Sequence, residues 1–269
     1  MKKEIREIKN GIVQITTYDE RWYAKPSIDE KTGLPVYKFV PSVTWIASYY
    51  PKGIGFYKWL ANKGWDEAEA IKEMAGDKGS KVHQAITILL NGKEVKMGDY
   101  MMNIETGEME ELKVEEYECV MKFVEWFKET KPEILANEIT AFSQDETFAG
   151  TIDIICRIDG QIYIVDIKTS QTIWPEHELQ ISAYSHLNLN LEELKISKEE
   201  WDKRKLAILQ LGYRRNNNGW KFTEISDKFD LFLATYKIWQ NECEGVEPQQ
   251  KDYPLYLTLK EENTEKSKN

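Results

Sequence analysis

Apolar residues recur along this chain with two different spacings. At intervals of three and four they predict helices over residues 66–74, 78–90, 111–128, 176–187 and 228–243. Val82, Ile86, Leu89 and Leu90 form the stripe of the second, which Asn91-Gly92 ends. Tyr117, Val120, Met121, Val124 and Phe127 share the broad face of the third, and Pro132 closes it off. Dense runs rich in β-branched residues predict strands over 134–142, 148–158, 161–169, 205–213 and Trp220–Ile225, the last two joined across the loop at 214–219. The first forty residues hold two strand-like pieces, 11–18 and 34–40, with a turn at Gly33-Leu34-Pro35. Pro41 onward reads as helical, capped by Ser42 or Thr44 and interrupted by Pro51, and 95–110 as a loop or small hairpin. This order predicts one α/β domain over residues 1–249, a central mixed β-sheet flanked by helices with an N-terminal helical region, and a fraying tail over 250–269.

Charges interrupt the central strands. Asp153, Asp166 and Lys168 fall within residues 150–170, which otherwise read as core. Asp159-Gly160 is a two-residue hairpin signal. A turn there pairs Ile155 with Ile164 and Asp153 with Asp166, leaving Lys168 on the same face with Thr151 across from it. Directly opposed like charges destabilise a sheet. Burial raises that cost unless a proton is retained or a cation lies between the groups. Carboxylates with Cβ atoms about 5 Å apart would seat a hard divalent ion such as Mg2+ or Mn2+, with Lys168 beside it to meet a phosphate or orient a water. An Asp–Lys–Asp ion-pair network at a sheet edge explains the same pattern. A bulge would move Asp153 off this face.

Composition narrows the class. The chain has 269 residues, 41% hydrophobic and 30% charged, with nine tryptophans and fourteen tyrosines, which predicts a folded globular protein. No run approaches the roughly 18 apolar residues of a membrane span. Residues 1–10 are basic but lack the apolar stretch of a secretory signal. The three scattered cysteines, Cys119, Cys156 and Cys243, are expected as free thiols in a reducing compartment. A net charge of −10 argues against binding nucleic acid over the whole surface, but not against a local basic groove.

Motif order adds a resemblance. Gly-Ser-Lys-Val-His at 79–83 lies on a helix, Glu138 on the first core strand, Gly-Thr-Ile-Asp at 150–153, Asp-Ile-Lys at 166–168 followed by Thr169, and Gln-Ile-Ser-Ala-Tyr at 180–184 on a later helix. Together with Pro-Ser-Val-Thr at 41–44, this series resembles the PD-(D/E)XK nuclease superfamily. Its nearest branch is that of the RecB nuclease domain, with phage exonucleases, Cas4-type nucleases and the mitochondrial single-strand exonuclease. The resemblance covers about residues 38–240. It implies a restriction-endonuclease-like core and a metal-dependent deoxyribonuclease using one or two Mg2+ or Mn2+ ions. His83, Asp153, Asp166 and the Ile167 carbonyl would be metal ligands, and Lys168 would position the attacking water. Glu138 would support the site or contact the metal through water, and Gln180 and Tyr184 would brace it or touch DNA. The expected partners are DNA, single-stranded or as duplex ends, and a recombination or replication protein, in the cytoplasm of a bacterial or phage-infected cell. Three scattered cysteines cannot hold the four-cysteine iron–sulfur cluster of Cas4-type relatives, and no phosphate-loop motif for ATP is present.

An exonuclease is the reading preferred; a structure- or site-specific endonuclease on the same fold, or a non-catalytic DNA-binding scaffold, are the alternatives. Taken singly, His83 reads as a core-boundary histidine and Glu138 as a surface strand residue. His177 and Trp174 are candidates to approach a phosphate and a base. Lys203-Arg204-Lys205 and Arg214-Arg215 are either phosphate contacts or a solvated face.

Overall fold

A computed structural model of the chain describes residues 4–7, 11–16, 20–28, 33, 35–103 and 106–248. It begins with a four-stranded antiparallel sheet of β1 (Glu4–Glu7), β2 (Val13–Thr16), β3 (Arg21–Ile28) and β4 (Pro35–Pro41), adjacent in that order. The hydrophobic pattern foreshadowed β2 and β4 but not β3. Trp22, Tyr23 and Ala24 are buried in succession, so β3 shows no alternation. The N-terminal region is therefore a sheet followed by helices, with Gly33 at φ +69° near the expected turn.

Helix α1 (Val43–Ser48) is capped by Ser42, whose Oγ accepts from the Trp45 N–H at 3.1 Å. The rings of Trp22, Trp45 and Trp239 meet edge to face, with centroids 4.8–6.0 Å apart, and tie the first sheet to the helices behind it. Next come α2 (Ile54–Lys63) and α3 (Trp65–Leu90). The pattern predicted two helices where α3 runs unbroken for 26 residues. Gly76 and Gly79 cost about 1 kcal/mol each against alanine, too little to break a helix anchored by the buried Asp77, Lys81, Val82, Ala85 and Ile86. A small hairpin, β5 (Tyr100–Met102) and β6 (Met109–Glu111), precedes α4 (Val114–Thr130). The buried face of α4 is Glu116, Cys119, Val120, Phe123 and Trp126. It is turned from the expected one, and Met121 is 47% exposed. The larger Trp126 and the anchored Glu116, which accepts from the Lys113 N–H, set this rotation.

The central sheet is built from β7 (Glu133–Phe142), β8 (Ala149–Ile158), β9 (Gln161–Lys168), β10 (Lys205–Leu211) and β11 (Trp220–Ile225), ordered β11-β10-β9-β8-β7. Only β9 and β10 are parallel. Their crossover carries α5 (Pro175–Tyr184) and a short α6 (Lys198–Asp202) that the pattern did not show; α7 (Phe229–Glu242) ends the described fold. Alternate side chains of β8–β10 enter two cores. Ile155, Ile162, Ile164, Leu206 and Ile208 meet α1, α5, α7 and the first sheet. Ile154, Cys156, Val165, Ala207 and Leu209 meet α3 and α4. Covering both faces explains why these strands read as nearly continuous apolar runs. The fold is a mixed α/β sheet flanked by helices, as expected. No helix among the described residues is long and apolar enough to cross a membrane. The three cysteines are free and buried, and residues 250–269 lie outside the described residues.

Candidate active site

The β8–β9 hairpin forms at Asp159-Gly160, both with positive φ (47° and 81°), as a two-residue turn of this type requires. Its register is the expected one from Ile158–Gln161 to Ile154–Val165, but the ladder stops there. The direct Asp153–Asp166 pairing is replaced by a side-chain contact, in which Asp153 Oδ2 accepts from the Ile167 N–H at 2.7 Å. Thr151 pairs with Thr140 of β7 on its other side, and the β8–β9 ladder ends before it could reach Lys168.

The physical reason is a break in side-chain alternation. Ile152 and Ile155 enter one core and Ile154 the other, so the chain changes face around Asp153. Across from it, the β7–β8 ladder skips Glu138, which has a left-handed φ of 48°. Such a conformation costs a non-glycine residue about 1–2 kcal/mol, and backbone strain of this kind gathers at functional sites.

Three elements bring their donors together here. His83 of α3 has Nδ1 3.4 Å from Asp153 Oδ1 and 3.8 Å from Glu138 Oε1. Its Nε2 donates to the Ile167 carbonyl at 3.1 Å, which leaves Nδ1 as the nitrogen facing the carboxylates. Burial opposes charge on His83, but the Asp153 and Glu138 carboxylates outweigh it and hold the imidazole pKa well above its ordinary value. Burial likewise works against the Asp153 carboxylate, yet His83 and Lys168 hold its pKa below the usual range.

Asp166 is fully buried beside this trio. Burial pushes its carboxyl up to about 6, against the pull of Lys168. Lys168 Nζ stands 2.8 Å from Asp166 Oδ2 and donates to Gln180 Oε1 at 3.3 Å. The Gln180 amide Nε2 donates to Asp166 Oδ1 at 3.1 Å and to the Tyr184 hydroxyl at 2.8 Å. Gln180 and Tyr184 thus brace Asp166 and Lys168 from the α5 side. Tyr184 also explains Gly150, because a Cβ there would lie 2.6 Å from the tyrosine ring. Gly79 carries no such constraint: a Cβ would meet Thr169 at an ordinary 3.9 Å.

The donor set suits a hard divalent cation. One imidazole nitrogen and two carboxylates, from His83, Glu138 and Asp153, lie within 4.8 Å of one another. Asp166 Oδ2 is buried with no aligned hydrogen bond among the described residues. Glu138, expected to support the site or to contact a metal through water, stands within the donor group, while Asp166 and the Ile167 carbonyl adjoin it through Lys168 and His83.

Other candidates sit elsewhere or are already engaged. His177 packs in the first turn of α5, where its Nδ1 accepts from the Trp174 N–H at 3.4 Å. His186 pairs with Asp227 at 2.9 Å and stacks on Phe229. The run at 203–205 is engaged: Lys203 meets Glu199, Lys205 meets Glu224, and Arg204 donates to the Ser185 and Trp201 carbonyls. Arg214 is exposed, 4.0 Å from Glu115. The sequence pattern missed Tyr23, whose hydroxyl meets Thr151 Oγ1 at 3.0 Å next to the site strand.

Replacing Glu138 with glycine should raise the melting temperature by a few degrees, since relief of about 1–2 kcal/mol of backbone strain exceeds the lost attraction of a partly exposed carboxylate to His83. Glu138→Ala, which keeps the strained backbone, should not share the full gain. A fall in melting temperature for the glycine variant would refute the strain.

No protein-family model matches the chain, and no curated protein matches it in sequence. Among solved structures it is similar to an alkaline exonuclease (LHK-Exo) from Laribacter hongkongensis, with a TM-score of 0.38 and 10% identity over 76% of this chain and 88% of that one.

Proposed function

We propose that the chain is a metal-dependent DNA exonuclease that hydrolyses phosphodiester bonds. The observation that carries this reading is the meeting of His83, Glu138 and Asp153 with the Asp166–Lys168–Gln180 group at one end of the sheet. His83, Glu138 and Asp153, adjoined by Asp166 and the Ile167 carbonyl, would hold Mg2+ or Mn2+. Such an ion supplies Lewis acidity at the scissile phosphate and a water of lowered pKa.

The protein's own groups do the positioning. Lys168 Nζ, held between Asp166 and Gln180, has a proton left to orient a water or meet a phosphate oxygen. The Ile167 N–H fixes one oxygen of Asp153, leaving the other toward His83. Gln180 spends both amide protons holding Asp166 and Tyr184 in place. The net charge of −10 favours an enzyme that takes a DNA end into a confined channel over one that coats long duplexes.

The test is digestion of end-labelled linear DNA and of covalently closed circular DNA, single- and double-stranded, with Mg2+, Mn2+ or EDTA. Loss of linear DNA from its ends, metal-dependent and with circles intact, is the expected result. Cut circles would establish an endonuclease instead. Binding without degradation under any condition would establish a scaffold.

A further inference from the structure

Helix α2 lies outside both cores. None of its ten residues is buried, although it contains Ile54, Phe56, Tyr57, Trp59 and Leu60. Phe56 meets Tyr57 edge to face at 5.7 Å and Trp59 at 5.8 Å, so the three rings form one exposed cluster. Tyr57 is 54% exposed, and Trp65, just beyond Gly64, is 65% exposed. A single surface aromatic needs no explanation, but a contiguous cluster marks an interaction site.

Charge indicates the occupant. The chain carries −10 overall, yet residues 43–65 hold three lysines and no acidic residue. Lys63 is answered by Glu67 and Lys52 by Glu176, while Lys58 has no carboxylate partner among the described residues. Exposed aromatic faces beside the ammonium of Lys58 match the bases and a phosphate of an unpaired strand. In a duplex the base faces are already stacked, leaving the rings nothing to cover.

Position links the cluster to the candidate active site. Lys52 Nζ lies 2.5 Å from Glu176 Oε1 and 5.9 Å from the centre of the Phe56 ring. Glu176 is in the first turn of α5, the helix that carries Gln180 to Asp166 and Lys168. Its neighbour His177, in the same first turn, has its imidazole pushed down to about 3, by burial first and then by the charges of Lys168 and Lys52. Trp174, 49% exposed, caps the same helix.

We propose that Phe56, Tyr57 and Trp59, with Lys58, form a stacking platform for single-stranded DNA that leads a strand past the start of α5 to the His83–Asp153–Lys168 site. The platform's role in leading substrate to that site rests on the nuclease reading; its binding of a single strand can be measured without catalysis. Fluorescence polarisation of the full chain, in EDTA, with a labelled oligothymidylate of about 16 nucleotides provides the test. Trp59→Ala and the Phe56→Ala/Trp59→Ala double variant should bind about tenfold or more weakly, with an unchanged slope against the logarithm of salt concentration. Trp59→Phe should restore most of the affinity. Lys58→Gln should reduce the slope by about one. A blunt hairpin duplex should bind all the aromatic variants alike. Wild-type affinity for the oligonucleotide in the double variant would overturn the proposal. So would light scattering that shows a dimer broken by Trp59→Ala with affinity unchanged, since the cluster would then join two copies of this chain. If wild-type protein degrades no DNA with Mg2+ or Mn2+ while the oligonucleotide differences persist, the nuclease reading fails and the strand-binding surface stands.

Discussion

Lys168→Ala should lower DNA hydrolysis by about a hundred- to a thousandfold, the loss expected when one fixed donor is removed from a developing charge. Lys168 is the ammonium group that stands against Asp166, and Gln180 holds its other side. Arginine keeps the charge but is a planar fork, not a compact point charge on a flexible stem, so Lys168→Arg should recover little activity. The fold should survive, because a buried carboxyl already raised to about 6 can take up a proton when its partner is lost. Single-turnover cleavage of a labelled strand, alongside thermal melts, checks both halves of the expectation. Activity equal to wild type would remove Lys168 from the site.

Lys81→Ala should have the largest effect on stability, about 3–5 kcal/mol, or a fall in melting temperature of about 10 °C for a chain of this size. Lys81 is 0% exposed, the one charged side chain among the largest fully buried groups. Its Nζ lies 2.8 Å from Asp77 Oδ2 and 4.0 Å from Glu116 Oε1, and it donates to Glu110. It therefore fastens α3, the β5–β6 hairpin and α4 to one another. Alanine would leave three carboxylates facing each other around a void. Glu110 is about one-third exposed, which places the effect toward the lower end of that range. Lys81→Met, which fills the volume, should cost less than alanine. Urea titration of the three proteins tests the order, and an unchanged midpoint for Lys81→Ala would show that the network contributes nothing.

What could be read in the sequence follows from which interactions are local. The β8–β9 hairpin was legible because its turn chemistry lies in two adjacent residues. α5 was legible through its helical spacing and through Gln180 and Tyr184 four apart on one face, although it starts at Pro175 and ends at Tyr184. The left-handed backbone at Glu138 was not legible, since no glycine stands there to signal a positive φ. Asp166 stood out as a misplaced charge, but no spacing shows that Gln180 would take one of its oxygens and Lys168 the other. The sequence could not choose between a phosphate contact and a solvated face for the run at 203–205, because Glu224 and the Ser185 carbonyl, which engage it, are remote in sequence. α2 did not stand out in the sequence beyond a helical region interrupted at Pro51, and only the tertiary arrangement leaves its rings uncovered.

The irregularity in β7 has an effect away from the chemistry. β7 is an outermost strand of the central sheet, and outer strands offer their free backbone groups to any passing chain. Here the offer is interrupted twice, by the register shift between Ile134 and Ala136 and by the left-handed Glu138. No long flat stretch remains for a second molecule to extend, so the bend that brings a carboxylate beside His83 also guards the sheet against end-on aggregation.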